Sequence, residues 1–237
     1  MEHIFKNNYG TFTKDELEKL RCAKVLVIGC GGSGYVIDEL VRLGIENIGV
    51  VDGDVFEETN LNRQLFSNIQ SIGKLKVEVA KKHAENINPN IQFKTYPVFV
   101  TKENCHDFVR SYDIVLDCVD NIESKLVIQK ACSELGIPLV FGGMSRWYGQ
   151  VGVSFPGDDL LEKVYSVSKS KRKGHLNEEE RSLLSSTTSF MNAFVSSLYV
   201  AMCAKVLVGR KCPHKRLYLC DLCNMRLIRL RIGKKLF

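Results

Sequence analysis

Short runs of apolar, mostly β-branched residues alternate with stretches of helical spacing over the first 155 residues. Residues 24–28 (Lys-Val-Leu-Val-Ile) are the pattern of a strand buried on both faces. Similar runs fall at 47–51, 91–99, 113–118 and 139–141. Between them, apolar positions recur at helical spacing over 35–43, 74–86, 101–110 and 122–135. A further helix is predicted over 14–20, with Thr13 as its cap. The boundary residues agree: Gly44 and Gly136 suit left-handed helix stops, Asn88-Pro89 ends a helix, and Asn121 caps one.

Parallel neighbours need crossovers, so strands alternating with helices predict an α/β fold. The expected architecture is a Rossmann-like, doubly wound, mostly parallel sheet. After residue 141 the period changes. Residues 148–155 alternate as an antiparallel strand does. Residues 156–188 are polar and weakly patterned, which predicts a long crossover loop. Residues 190–208 are apolar, but Asn192, Ser196, Ser197 and Lys205 interrupt them. That favours a buried core or interface helix over a membrane span. Two short strands, 217–223 and 225–232, follow around a tight turn and extend the sheet antiparallel. Neither a repeat nor a linker divides the 237 residues, so one domain is expected.

Composition adds little to this. Apolar residues make up 45% and charged residues 25%, as in ordinary soluble domains. The net charge of +6 is modest and partly local, in Lys169, Lys171, Arg172 and Lys173 and in the basic tail over 211–235. It suits an acidic ligand or protein partner. Without interleaved aromatic residues it argues against nucleic acid. Nine cysteines, odd in number and irregularly spaced, with no charged-then-apolar segment ahead of the fold, read as reduced thiols of a cytoplasmic protein.

The candidate chemistry begins at Gly29-Cys30-Gly31-Gly32-Ser33-Gly34, after a strand and before a helix. Glycines let backbone approach phosphates, and the helix N-terminus supplies free N–H donors. Asp52 closes the second strand at the distance expected of a ribose-binding carboxylate. This arrangement serves NAD as well as ATP, so an NAD-dependent oxidoreductase is an alternative. The residues beyond it separate the two. Asp52-Gly53-Asp54 leads to Asn60-Leu61-Asn62-Arg63-Gln64, then to Lys76, then to Asp117-Cys118-Val119-Asp120-Asn121. A triphosphate needs cations and usually a metal. Arg63 offers a planar fork and Lys76 a point charge, while Asp120 at a strand tip would hold Mg²⁺. Singly, each reads equally well as a solvated surface group; together they are the parts of a nucleotidyl-transfer site.

These motifs, in this order and spacing, resemble the ThiF/MoeB/HesA family, relatives of ubiquitin-activating enzymes. The resemblance covers about 20–155, with an echo in the tail strands 217–232. The stretch Gly-Gly-Met-Ser-Arg-Trp-Tyr-Gly-Gln at 142–150 is also similar to the family, where it lies near the carrier-protein tail. The resemblance implies a single adenylation domain over 1–237. Residues 1–155 would be the nucleotide-binding core, 156–188 a crossover loop, and 189–237 a C-terminal helix and antiparallel strands. It implies ATP and Mg²⁺ as cofactors, with Gly29, Gly31, Gly32, Gly34, Asp52, Asp54, Asn60, Gln64 and Asn121 around the nucleotide, Asp54 and Asn60 among them shaping the loop beside the phosphates. Arg63, Lys76 and Asp120 would be catalytic, and Asp120 the metal ligand. The implied reaction adenylates the C-terminal Gly-Gly carboxylate of a ubiquitin-like sulfur-carrier protein, within a homodimer. A non-catalytic carrier-binding member is a second alternative. A relative that activates a carboxylate on transfer RNA has a nucleic-acid surface with no evident counterpart here.

The chain departs from the family in three places. Many members carry an arginine in an N-terminal stretch that here reads Lys6-Asn7-Asn8-Tyr9-Gly10. Cys212, His214, Cys220 and Cys223 look like zinc ligands, but Cys220 and Cys223, three apart on one predicted strand, would face opposite ways, which argues against zinc. Residues 156–192 contain no cysteine, so adenylation without thioester formation is expected.

Overall fold

A computed structural model describes residues 4–158, 160, 161, 163–165, 186–212 and 214–232. Helix α1 (Lys14–Cys22) opens with a reciprocal capping box between Thr13 and Glu16. Then come β1 (Lys24–Ile28), α2 (Gly34–Leu43), β2 (Asn47–Val51), α3 (Lys76–Ile87), β3 (Gln92–Tyr96), α4 (Cys105–Val109), β4 (Ile114–Asp117) and α5 (Ile122–Leu135). The chain continues through β5 (Leu139–Ser145), β6 (Tyr148–Ser154), α6 (Ser189–Leu207), β7 (Arg216–Asp221) and β8 (Arg226–Arg231).

The eight strands form one sheet in the order β3-β2-β1-β4-β5-β6-β7-β8. Pairing is parallel from β3 to β5 and antiparallel from β5 to β8. Register brings Ile28 beside both Val51 and Asp117, and Asp117 beside Phe141, so the carboxyl ends of the central strands finish level. Strand order reverses between β1 and β4, and a crevice opens there above the strand tips.

Alternation in β1 explains the continuous apolar run. Val25 and Val27 join the core under α2, α3 and α6, while Leu26 and Ile28 join the opposite core with Val109 and Ile128 of α4 and α5. Helix α6 is long and apolar enough to cross a membrane by length and composition, but half of it is buried inside the protein. Met191, Val195, Tyr199 and Cys203 lie on the α2 side of the sheet. This is the core helix the interrupted pattern predicts.

Several boundaries differ from the sequence reading. The third strand stops at Tyr96, because Pro97 cannot donate to a ladder, and Val98 and Phe99 turn outward. The following helix starts only at Cys105; Asn104 instead accepts from the Thr101 N–H and donates to the Phe99 carbonyl, holding a turn. Helix α3 starts at Lys76, two residues late, since the Lys74 N–H bonds the Ser71 carbonyl. The fifth strand runs four residues further, into a hairpin whose Arg146 has φ of 55°. Residues 160, 161 and 163–165 are helical within the predicted loop, with Leu160 and Leu161 buried. The rest of that expectation, 166–185, lies outside the described residues. In the tail, Cys223 lies in the β7–β8 turn and not on the strand.

Candidate active site

Gly29 leaves β1 with φ of +96°, and a Cβ there would stand 2.7 Å from the Cys118 carbonyl oxygen. No other residue fits that turn without moving the tip of β4. A Cβ at Gly31 would meet the Gln64 amide nitrogen at 3.1 Å. The Ser33 hydroxyl donates to the Gly29 carbonyl at 2.5 Å, closing the turn before α2. Asp52, one residue past β2, accepts from the Cys30 N–H and, at 2.8 Å, from the Asp54 N–H. Both of its oxygens therefore brace the backbone of the glycine turn and the next loop.

The connection from β2 to α3 delivers the cations. Lys76, the first residue of α3, is buried, and its Nζ lies 2.9 Å from Asp54 Oδ2. Arg63 Nη1 donates to the Thr59 carbonyl at 2.7 Å and to Asn62 Oδ1 at 2.9 Å. Gln64 is buried, and its Oε1 has no hydrogen-bond partner. Such an orphaned acceptor beside a glycine turn asks for a ligand donor or water.

These groups line one cleft of about 890 Å³, within the ordinary range for small-molecule sites. Gly29, Gly31, Gly32 and Asp52 form one wall. Asp54, Arg63, Gln64 and Lys76 form a second, and Asp120 and Asn121 a third. Asn121 also caps α5 by accepting from the Ser124 N–H at 2.8 Å. Gly142, Gly143, Tyr148 and Gln150 of the β5–β6 hairpin line the same cleft. Two expected site residues stand apart from it among the described residues. Gly34 packs, with a Cβ position 3.1 Å from Leu65 Cβ. Asn60 accepts from the Glu57 N–H at 3.1 Å and so shapes the loop before Arg63. Lys6 is not part of this lining.

A second group holds a residue that sequence reasoning missed, Lys125, the partner of Asp117. Asp117, at the last position of β4, is fully buried and faces Lys125 Nζ, 3.1 Å from each of its oxygens. Burial pushes the Asp117 carboxyl upward, while the Lys125 ammonium and the Val119 N–H pull it back. For Lys125, burial lowers and Asp117 more than restores its proton affinity, so the lysine stays charged. Tyr199 donates to the Asp117 carbonyl at 2.9 Å, and Asn192 to the Arg63 carbonyl at 3.0 Å, both from α6. Cys30 and Cys118 beside the turn are poor nucleophiles, because burial raises both thiols far above the ordinary range.

The fit to a magnesium nucleotide can be tested on charge. Among the described residues, the cations Arg63 and Lys76 and the carboxylates Asp52, Asp54 and Asp120 line the cleft, and Lys125 reaches it with its charge already matched by buried Asp117. The wall has no excess of positive charge, so a bound triphosphate would need an added cation. No three His, Cys, Asp or Glu side chains converge among the described residues. One carboxylate suffices for Mg²⁺ when phosphates supply further ligands, and Asp120 fits that part. In the tail, Cys212 Sγ lies 3.9 Å from Met202 Sδ, His214 pairs with Asp158 at 2.9 Å, and Cys220 is buried.

The model of the ThiF family matches residues 5–236. The sulfur carrier protein adenylyltransferase of Thermus thermophilus is 39% identical over 137 residues, 57% of this chain and 51% of that protein. The adenylyltransferase and sulfurtransferase UBA4 of Meyerozyma guilliermondii is 40% identical over 148 residues, 62% of this chain and 34% of that protein. The chain thus spans between about a quarter and a half of the length of the curated relatives it matches. Among solved structures, E. coli MccB with MccA superposes at a TM-score of 0.79 and 21% identity, over 99% of this chain and 73% of that one. The E. coli tRNA N6-threonylcarbamoyladenosine dehydratase TcdA, in complex with ATP, gives 0.73 and 22%, over 88% and 95%. At those identities the structures speak for the fold, which is this one. On the family match over nearly its whole length, the chain belongs to the ThiF family.

Proposed function

We propose that the protein is an adenylyltransferase that uses ATP to activate the C-terminal carboxylate of a ubiquitin-like sulfur-carrier protein. The observation that carries this is the convergence of the glycine turn, Arg63, Lys76 and Asp120 on one cleft at the strand tips. The names of the Thermus and UBA4 relatives supply the substrate class. In this reading the turn at 29–34 and the N-terminus of α2 cradle the phosphates, and Asp52 receives the ribose. Arg63 and Lys76 neutralise phosphate oxygens, and Gln64 Oε1 accepts from the nucleotide. Mg²⁺ held by Asp120 and the phosphates would supply charge neutralisation for the departing pyrophosphate.

The carrier's Gly-Gly tail enters along Gly142 and Gly143, where bulkier side chains are absent. Its carboxylate, already ionised, attacks the α-phosphorus; the bond to the β-phosphate breaks, giving acyl adenylate and pyrophosphate. No protein base is needed, so catalysis is positioning and charge neutralisation.

The chain acts as one adenylation unit, with 1–155 holding the nucleotide and the segment from 189 onward adding helix α6 and the antiparallel strands β7 and β8. A homodimer is supported by exposed Leu61, Leu65 and Ile69, on the connection that carries Arg63. Nine free cysteines suit a reducing cytoplasm. Pyrophosphate exchange into ATP, dependent on a carrier ending in Gly-Gly, tests the reading. A hydride-transferring NAD enzyme would give no exchange. The missing N-terminal arginine favours one rival, a carrier-binding protein without turnover. It would bind ATP and carrier but leave the label unexchanged.

A further inference from the structure

The buried pair of Asp117 and Lys125 is unused by the chemistry above. Both members are buried, Asp117 0% and Lys125 4% exposed, and Lys125 alone touches the cleft wall. A buried ion pair contributes little net stability compared with apolar residues of the same volume. What it does provide is fixed geometry. Asp117 ends β4, and its carboxylate reaches forward to accept the Val119 N–H at 3.2 Å while Lys125 holds both oxygens. Tyr199 grips the carbonyl of the same residue from α6. The segment clamped between these contacts is the short turn 118–120, whose last member is Asp120. That side chain is exposed in the cleft, and none of its own contacts orients it among the hydrogen bonds of the described residues.

We infer that Lys125 is a positioning residue: through Asp117 it sets the turn that aims Asp120 into the cleft. The inference rests on the proposed adenylation reading and names the residue that makes Asp120 effective. Lys125 lies on the first turn of α5, so the same side chain also ties that helix to the strand tip.

The test separates geometry from stability. Lys125→Met alone would strand a buried carboxylate at a cost large enough to confound folding with function, so the working variant replaces both partners, Asp117→Asn with Lys125→Met. Neutralising both members of a buried pair is commonly tolerated. ATP binding is measured by calorimetry with and without Mg²⁺, and carrier-dependent pyrophosphate exchange is measured beside it. The wild type is expected to bind ATP more tightly with Mg²⁺. The double variant is expected to keep its metal-free affinity and to lose about 10- to 100-fold of the magnesium enhancement. Its exchange should fall in kcat by a similar factor, with KM for ATP little changed. Lys125→Arg, which keeps the charge, should restore most of both. A folded double variant with wild-type magnesium enhancement and kcat overturns the inference while leaving the adenylation reading intact. A wild type that binds no ATP and exchanges no label sinks that reading instead, and this one with it.

Discussion

Replacing Lys76 by methionine separates the site's catalytic and structural contributions. The lysine stem is buried at the start of α3, and methionine keeps most of that packing. The lost ion pair is with Asp54, whose side chain is 56% exposed and can be solvated when alone. Pairs of that exposure contribute under about 1 kcal/mol. A domain of this size should then shift in Tm by no more than about 4 °C. The catalytic loss is larger. A unit charge about 4 Å from a phosphate oxygen contributes about 4 kcal/mol at an effective dielectric of about 20. Part of that is already spent on Asp54, which leaves roughly 3 kcal/mol, or about a hundredfold to a thousandfold in rate. The assay is carrier-dependent pyrophosphate exchange at saturating ATP, beside a thermal melt. Exchange within fivefold of wild type, with the melt unchanged, would show that Lys76 is a structural lysine and refute the reasoning.

Three other outcomes follow from the same geometry. Gly29→Ala forces a Cβ to 2.7 Å from the Cys118 carbonyl at φ of +96°, so urea denaturation should show a loss of at least about 2 kcal/mol; unchanged stability would mean that the turn is looser than described. Asn192→Ala removes the bond to the Arg63 carbonyl, and exchange should fall about tenfold or more; a stability loss without that fall would confine Asn192 to packing. Arg210 and the Thr13 N–H hold the Glu16 carboxyl at about 2 against an ordinary 4.5. That depressed value stabilises the fold above pH 4.5, and the contribution is lost as pH falls toward 2. Denaturation at pH 7 and pH 3 should therefore narrow the gap between wild type and Glu16→Gln, and a constant gap would remove Glu16 from the acid response.

The sheet was legible because its signal is local. Residues 25–28 of β1 are all apolar for a reason visible in the run itself, since both faces are covered, and the glycine turn follows it directly. Arg63, Lys76 and Asp120 were legible as a set through motif order, and the fold brings all three to one cleft. Motif order did not separate Gly34, which packs on Leu65, from the glycines that line the cleft, while Asn60 shapes the loop as the resemblance implies. Lys125 was missed because a lysine within a helical pattern normally faces solvent. Its burial depends on Asp117, contributed by another strand. Asn192 and Tyr199 left a readable trace: two polar side chains seven apart in an apolar helix share a face, and that face meets the site. Leu160, Leu161, Val164 and Tyr165 likewise carry one short helical repeat inside a stretch too polar overall to suggest it.

The most direct measurement is intact-mass spectrometry of a carrier ending in Gly-Gly after incubation with this protein, ATP and Mg²⁺. The account predicts an AMP adduct on the carrier's terminal glycine, absent when ATP is omitted and strongly reduced with Lys76→Met. A carrier that stays unmodified while bound to an ATP-loaded wild-type protein would contradict it.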